Sequence, residues 1–232
     1  MMERARGYGL VIVLCIAAGL ILIAARTRVL PDPYNPLAPL DLAEAPNLMT
    51  NAKLWMMAGD TPACLAALRK AGVAVTPMPE RTDRPGCTRK GTVMVARLSR
   101  AEIVPAEMGC NIALRLYLLE RHDIQPLARR YFGSEVGRIT HFGSYSCRTM
   151  RGSSRMSEHA TANAFDISGF KLANGRTVSL KRDWNAAGPP AAFLRAVRTR
   201  ACLFFDMVLS PDYNADHADH FHVDMGWFMG CH

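Results

Sequence analysis

Ala164-Phe165-Asp166-Ile167-Ser168-Gly169-Phe170 alternates large apolar side chains with small or polar ones, the period of a strand with one face on a core. His220-Phe221-His222-Val223-Asp224-Met225 repeats the pattern. In an extended chain His220, His222 and Asp224 share one face while Phe221, Val223 and Met225 share the other. By the same rule Phe165 and Ile167 point inward and the Asp166 carboxylate points away from them. Two strands with polar faces made of metal-ligand side chains decide the fold: a sheet that carries a polar site.

Working outward, 136–142 carries Val136, Ile139 and Phe142 and reads as a strand, as do 176–180 and 205–209. Residues 189–199 begin with prolines and read as a helix. Upstream, Thr61-Pro62 resembles an N-cap followed by proline, predicting a helix through Lys70 that stops at Gly72. Residues 76–91 are rich in Pro, Arg and Gly and read as a surface loop pinned by Cys87. Residues 108–121, with Ile112, Leu116 and Leu119 on one face, predict an amphipathic helix. A second runs from about Ile124 to Gly133 and packs against the first. The expected class is α+β, with N-terminal helices packed on a small, mainly antiparallel sheet and one N-terminal transmembrane helix ahead of them.

That transmembrane expectation rests on 9–25, an unbroken apolar run between Arg4 and Arg6 on one side and Arg26 and Arg28 on the other. At 1.5 Å per residue it spans about 25 Å, near the thickness of a bilayer's hydrocarbon core. Its length favours an uncleaved anchor, while Ala24-Ala25 leaves a cleaved signal peptide as the alternative. Three regions follow: 1–28 as anchor or signal, 29–59 as a linker with a semi-extended, proline-bearing start at 29–40, and 60–232 as the exported domain. The expected location is the membrane with the domain in the periplasm, or secreted or periplasmic after cleavage.

Composition agrees with a folded, exported domain. Of 232 residues, half are hydrophobic and 21% charged, which excludes a wholly disordered chain. The net charge is +8, yet the basic residues are scattered and form no aromatic-interleaved stripe, so no nucleic-acid partner is expected. One of the 7 cysteines, Cys15, lies in the apolar run. The rest, Cys64, Cys87, Cys110, Cys147, Cys202 and Cys231, form an even set for an oxidising compartment and predict up to three disulfides, with pairing open. A structural zinc cluster is the competing reading, disfavoured because no Cys-x-x-Cys occurs. The sequence is silent on oligomeric state.

Ser157-Glu158-His159-Ala160-Thr161-Ala162-Asn163 lacks apolar bulk and reads as a loop folding over the 164–170 strand. His159, Asp166 and one strand histidine then meet. Two imidazoles and one carboxylate suit Zn²⁺ and leave a fourth position open, as in catalytic sites. The other strand histidine, or Asp216, Asp219 or His217, supplies a general base. The bland alternative is a set of ordinary polar residues on a solvated strand face.

Residues 157–166 resemble the Ser-x-His-x-x-Gly-x-Ala-x-Asp motif of the LAS metallopeptidases, the D-alanyl-D-alanine peptidases and peptidoglycan endopeptidases, and 220–224 is similar to their second motif. Across Cys64 to Cys231, including 141–148 and 212–222, the chain resembles the bacterial extensin-like C-terminal domain family. The resemblance implies zinc held by His159, Asp166 and His222, His220 as the base-side residue, and Arg148 as a clamp for a substrate carbonyl or carboxylate. It implies a zinc-dependent peptidase acting on peptidoglycan or its peptides and tethered to the inner membrane by the N-terminal helix. The alternative is a non-catalytic cell-envelope binding module retaining a structural zinc. Asn163 departs from the motif, standing where glycine is expected in a left-handed conformation.

Overall fold

The computed structural model describes residues 2–26 and 29–232, the side chains of 2–10, 12 and 25 excepted. The chain divides into two compact units, one up to Met56 and one from Met57 to His232.

The first unit holds α1 (Met2–Arg26), a 3-10 turn at Asp32–Tyr34 and α2 (Leu48–Met56). Among the described residues no helix is long and apolar enough to cross a membrane, and the spanning segment expected over 9–25 falls partly on side chains outside them. The proline-rich stretch is turned instead of semi-extended. Tyr34 N–H donates to Pro31 O, and the Lys53 ammonium reaches from α2 to Asp32 O at 2.7 Å. The fixed φ of proline fits a 3-10 turn as readily as an extended chain, and the buried lysine selects the turn. Burial in turn lowers the Lys53 pKa from its usual value.

In the second unit α3 (Thr61–Lys70) starts one residue earlier than its sequence suggests. Asp60, not Thr61, is the cap, its carboxylate accepting from Ala63 N at 3.0 Å. The stretch read as a loop contains β1 (Val75–Pro77), β2 (Arg81–Thr82) and β3 (Thr88–Arg89), and β4 (Thr92–Arg97) and β5 (Glu102–Gly109) follow before the next helix. Strands therefore precede as well as follow the central helices, which the expected order of helices first did not include.

The helix α4 (Cys110–Leu119) is buried on every side from Ile112 to Leu119, so it is a core helix and not an amphipathic one. It continues through a π-helical turn, Glu120–Ile124, into α5 (Gln125–Phe132), which ends at Gly133 with φ +62°. The two helices are consecutive parts of one rod and pack on different neighbours: α4 on α3, and α5 on α7 (Pro189–Ala201), a helix that follows α6 (Leu180–Asp183). The π-turn aims the buried Glu120 carboxylate at the β4–β5 hairpin, where it accepts from the backbone N–H groups of Ser99, Arg100 and Ala101.

The remaining strands match their sequence pattern: β6 (Val136–Gly143), β7 (Ala164–Leu172), β8 (Thr177–Ser179), β9 (Met207–Leu209) and β10 (Phe221–Asp224), closed by β11 (Gly230–Cys231). The nine-stranded sheet has the order β1-β4-β5-β6-β7-β10-β9-β11, with β8 also on β7. It is mainly antiparallel, the exceptions being β5–β6 and β9–β11. Phe165, Phe170, Phe193, Phe221 and Trp184 fill the core between the sheet and α7, with Phe170 and Phe193 edge to face at 5.2 Å. The class is α+β.

Three disulfides staple this unit: Cys64–Cys110 joins α3 to α4, Cys87–Cys147 joins the β2–β3 hairpin to the segment after β6, and Cys202–Cys231 joins the end of α7 to β11. Among the described residues Cys15 alone is free. The Cys202–Cys231 bridge closes a sequence separation of 29 residues, so replacing both cysteines by serine is expected to cost roughly 3 kcal/mol of folding free energy. Denaturant unfolding of the oxidised double variant against wild type measures this.

Candidate metal centre

The site is set by strand register. β10 pairs antiparallel with β7 so that His222 lies directly opposite Asp166. On the other side of β7 the ladder with β6 shifts register on both sides of His141, and Gly143, with φ +107°, lies opposite Asp166. Such irregularities re-aim the chain next to functional sites. Here the segment leaving β6 carries Ser144 under the loop that leads into β7.

That loop makes a 3-10 turn, Glu158–Thr161, capped by Ser157, whose hydroxyl oxygen accepts from His159 N at 3.3 Å. The turn drops the His159 ring onto the sheet. His159 Nδ1 lies 2.6 Å from Ser144 O. A carbonyl only accepts, so Nδ1 carries the proton and Nε2 of the neutral ring presents a lone pair. His159 Nε2 lies 3.0 Å from His222 Nδ1 and 3.2 Å from Asp166 Oδ1. His222 Nδ1 is itself 3.0 Å from Asp166 Oδ1, while its Nε2 donates to Asp224 Oδ2 at 2.8 Å. Gly226 N in turn donates to Asp224 Oδ1 at 2.8 Å.

All four side chains are buried, which removes the reading of a solvated strand face. Among the described residues His159, Asp166 and His222 are the one set of three ligand-type side chains that could hold a metal ion, their atoms within 4.8 Å of one another. Their chemistry fits one. Each ring offers one nitrogen to the common point and donates from the other to a carbonyl or carboxylate, the second layer that fixes tautomer and ring orientation in metal sites. Tetrahedral ligands at zinc lie roughly 3.3 Å apart, close to the 3.0–3.2 Å found.

The electrostatics point the same way. Burial pushes the Asp166 pKa up, but the His159 and His222 imidazoles that face it outweigh that and hold the carboxyl well below its usual range. Burial pushes His222 down, but Asp166 and Asp224 outweigh it and raise its pKa to about 9. A proton on His222 thus takes the place of a cation in the metal-free protein.

His220 stands just ahead of β10, half-buried. Its Nδ1 donates to Asp219 Oδ1 at 2.9 Å, its Nε2 lies 3.7 Å from Asp166 Oδ1, and its ring meets Phe142 edge to face at 5.5 Å. It borders the cluster without belonging to the ligand set. His217 packs its ring 5.2 Å from His220 and 5.9 Å from His222. Burial, then the electrostatic influence of those neighbouring imidazoles, lowers its pKa to about 4, so it stays neutral at ordinary pH. Of the alternative bases, Asp216 is engaged by Arg151 and Asp219 by His220. Arg148 is exposed on the ribbon before Ser157, where its backbone bonds Ser146 and Ser157; among the described residues no hydrogen bond or ion pair links its side chain to the cluster.

Ser144 has no signature in the sequence. It acts through its carbonyl, which any residue possesses, so composition gives no signal for it. The left-handed residue is Ala162, with φ +56°, and not Asn163. Counting the motif from Ser157 in fact puts its glycine at 162. Asn163 instead links two segments: its amide donates to Glu158 Oε2 at 2.7 Å and to Met225 O at 2.9 Å, tying the His159 turn to the end of β10.

Metal binding must displace the His222 Nδ1 proton. Apparent affinity is therefore expected to rise about tenfold per pH unit from pH 7 and to level off near pH 9, with about one proton released per ion at pH 7.5. Calorimetry in buffers of different ionisation enthalpy reads both quantities; a pH-independent affinity across that range shows that His222 is not a ligand.

No curated protein and no solved structure matches the chain. A family model does, the one described as Extensin-like protein C-terminus, and its match over residues 62–232 takes in every residue of the candidate metal centre and all three disulfides. The chain belongs to that family.

Proposed function

We propose that the second unit is a zinc-dependent peptidase that hydrolyses a peptide bond in peptidoglycan or a related cell-envelope peptide. The observation that carries this reading is the three-sided ligand set, two imidazole nitrogens and one carboxylate converging on one buried point, with His220 beside it. Structural zinc sites close with four protein ligands, whereas catalytic ones keep three and an open position. When bound there, zinc supplies a Lewis acid for a carbonyl and brings the pKa of water near neutrality.

The chain's own groups supply the rest. His220, with Nδ1–H held by Asp219, has Nε2 free to take a proton from attacking water and to return it to the leaving amine. Arg148 supplies a cation for a substrate carboxylate or for the charge that develops on the carbonyl oxygen. The three disulfides support a location outside the inner membrane, where thiols oxidise, with the apolar run at 9–25 as anchor. The similarity of 157–166 and 220–224 to the LAS motifs supports the reaction class.

Incubation of the zinc-loaded chain with muropeptides is expected to release shortened peptides, and a chelator to abolish the release. His220→Ala is expected to lower kcat at least about 100-fold with zinc still at one per chain. Arg148→Ala is expected to lower kcat/KM about 10- to 100-fold. Intact muropeptides after exposure to fully loaded wild type overturn the peptidase reading and leave a zinc-stabilised binding module.

A further inference from the structure

Beyond Asp224 the chain turns outward through Gly226-Trp227-Phe228-Met229 before it returns as β11. Trp227 is 93% exposed, Met229 85% and Phe228 55%. Three consecutive large apolar side chains standing in water are costly and mark an interaction surface. Nor is this a loose end. Gly226 N is held by Asp224 Oδ1, Gly230 N donates to Asp206 O at 2.9 Å, and Cys231 is bonded to Cys202. The tip is presented by a stapled base.

From Ala201 to His232 the chain has no Lys or Arg, so the cations beside the tip come from elsewhere. They come from the ribbon 148–157, closed by the Thr149–Met156 bridge and by Met150 N donating to Arg155 O. The Arg155 guanidinium lies 4.5 Å over the Phe228 ring. Arg148 is exposed on the same ribbon, while Arg151 is engaged with Asp216.

The shape narrows the partner. Ligand pockets are concave and bury most of what they bind, whereas a side chain 93% exposed touches almost nothing of its own protein. A protruding Trp-Phe-Met tip with Arg155 over its Phe228 ring suits a soft surface, apolar beneath and anionic at its face: aromatic rings settle at the headgroup level and an arginine meets phosphate. We propose that this tip docks on an anionic bilayer surface, Trp227, Phe228 and Met229 entering the interface and Arg155 meeting the headgroups. Asp224, which holds His222, lies three residues before Trp227, so docking brings the metal centre to the membrane surface. The inference stands independently of the peptidase reading.

Because the N-terminal run can hold the chain on any bilayer, the test reads Trp227 itself. In a Trp55→Phe background Trp227 is the remaining exposed tryptophan, Trp184 being buried. The full-length, zinc-loaded chain is reconstituted in phosphatidylglycerol-rich vesicles or in pure phosphatidylcholine, each with lipids brominated near the headgroup. Quenching of Trp227 at least about twofold stronger in the anionic vesicles is expected, and an Arg155→Glu variant is expected to lose that difference while keeping its zinc. Trp227 that stays unquenched and open to aqueous acrylamide in both vesicles overturns the proposal. So does a Trp227 signal that ignores lipid and responds to soluble glycan strands, which assigns the tip to sugar stacking instead.

Discussion

Three electron-rich atoms, His159 Nε2, His222 Nδ1 and Asp166 Oδ1, lie 3.0–3.2 Å apart in a buried site, and that arrangement is stable only with a positive charge among them. A proton on His222 is the smallest cation that meets the need; a divalent metal ion meets it with all three partners at once. The surrounding structure serves this constraint. The β7–β10 register sets Asp166 opposite His222, Ser144 O and Asp224 hold the outer ring nitrogens, and Asn163 ties the two ligand-bearing segments together. No single contact is strong, but each removes one way for the three atoms to move apart.

The staples fall where this arrangement needs support. Ser144 lies three residues before Cys147, whose bridge to Cys87 fixes the segment to the β2–β3 hairpin. The same hairpin grips Tyr145: the Arg89 guanidinium lies 4.1 Å over its ring and Asp83 accepts from its hydroxyl. At the other end Cys202–Cys231 holds β11 beside β9, and β9 in turn pairs with β10, so that the strand carrying His222 is flanked on both sides. Sites built on rigid elements keep their geometry better than sites on free loops, and here the one loop-borne member of the cluster, His159, is hydrogen-bonded to Ser144 O on the stapled segment.

Strand alternation made β6, β7 and β10 legible, because a half-buried strand must alternate. Asp166 and the strand histidines followed from the same pattern, and His159 from the loop of small and polar residues that precedes β7. Register was not legible, since a shift of one residue leaves the composition unchanged while turning every side chain over. The helices show a different limit. Leu114 and Leu118 lie on the side of α4 that an amphipathic reading leaves in solvent, yet both are buried, and α4 packs on β4 and β5 as well as on α3. Those strands sit among charged residues, with Arg97, Glu102 and Glu107 interrupting their apolar runs. Glu107 is held by Arg89 at 2.9 Å and Thr92 at 2.8 Å, pairings that no local pattern announces.

Ala162 shows how far the site governs the backbone around it. A left-handed residue other than glycine is disfavoured by roughly 1–2 kcal/mol, and the intrinsic preference of alanine offers no hint that it bears this here. The reason is positional. Ala162 O accepts from Gly109 N at 2.8 Å and from the Ser144 hydroxyl at 3.1 Å, which pins the turn between the sheet and the segment orienting His159. Only a short stretch separates His159 on the turn from Ala164, the first residue of β7, and Asp166 lies two further on. Bringing both side chains to one point over so short a path requires the chain to reverse within a single residue. The methyl group of Ala162 is fully buried, so its packing offsets part of the strain that a glycine avoids. Strain held at a ligand-bearing turn is tolerated because hydrogen bonds on both sides over-determine it.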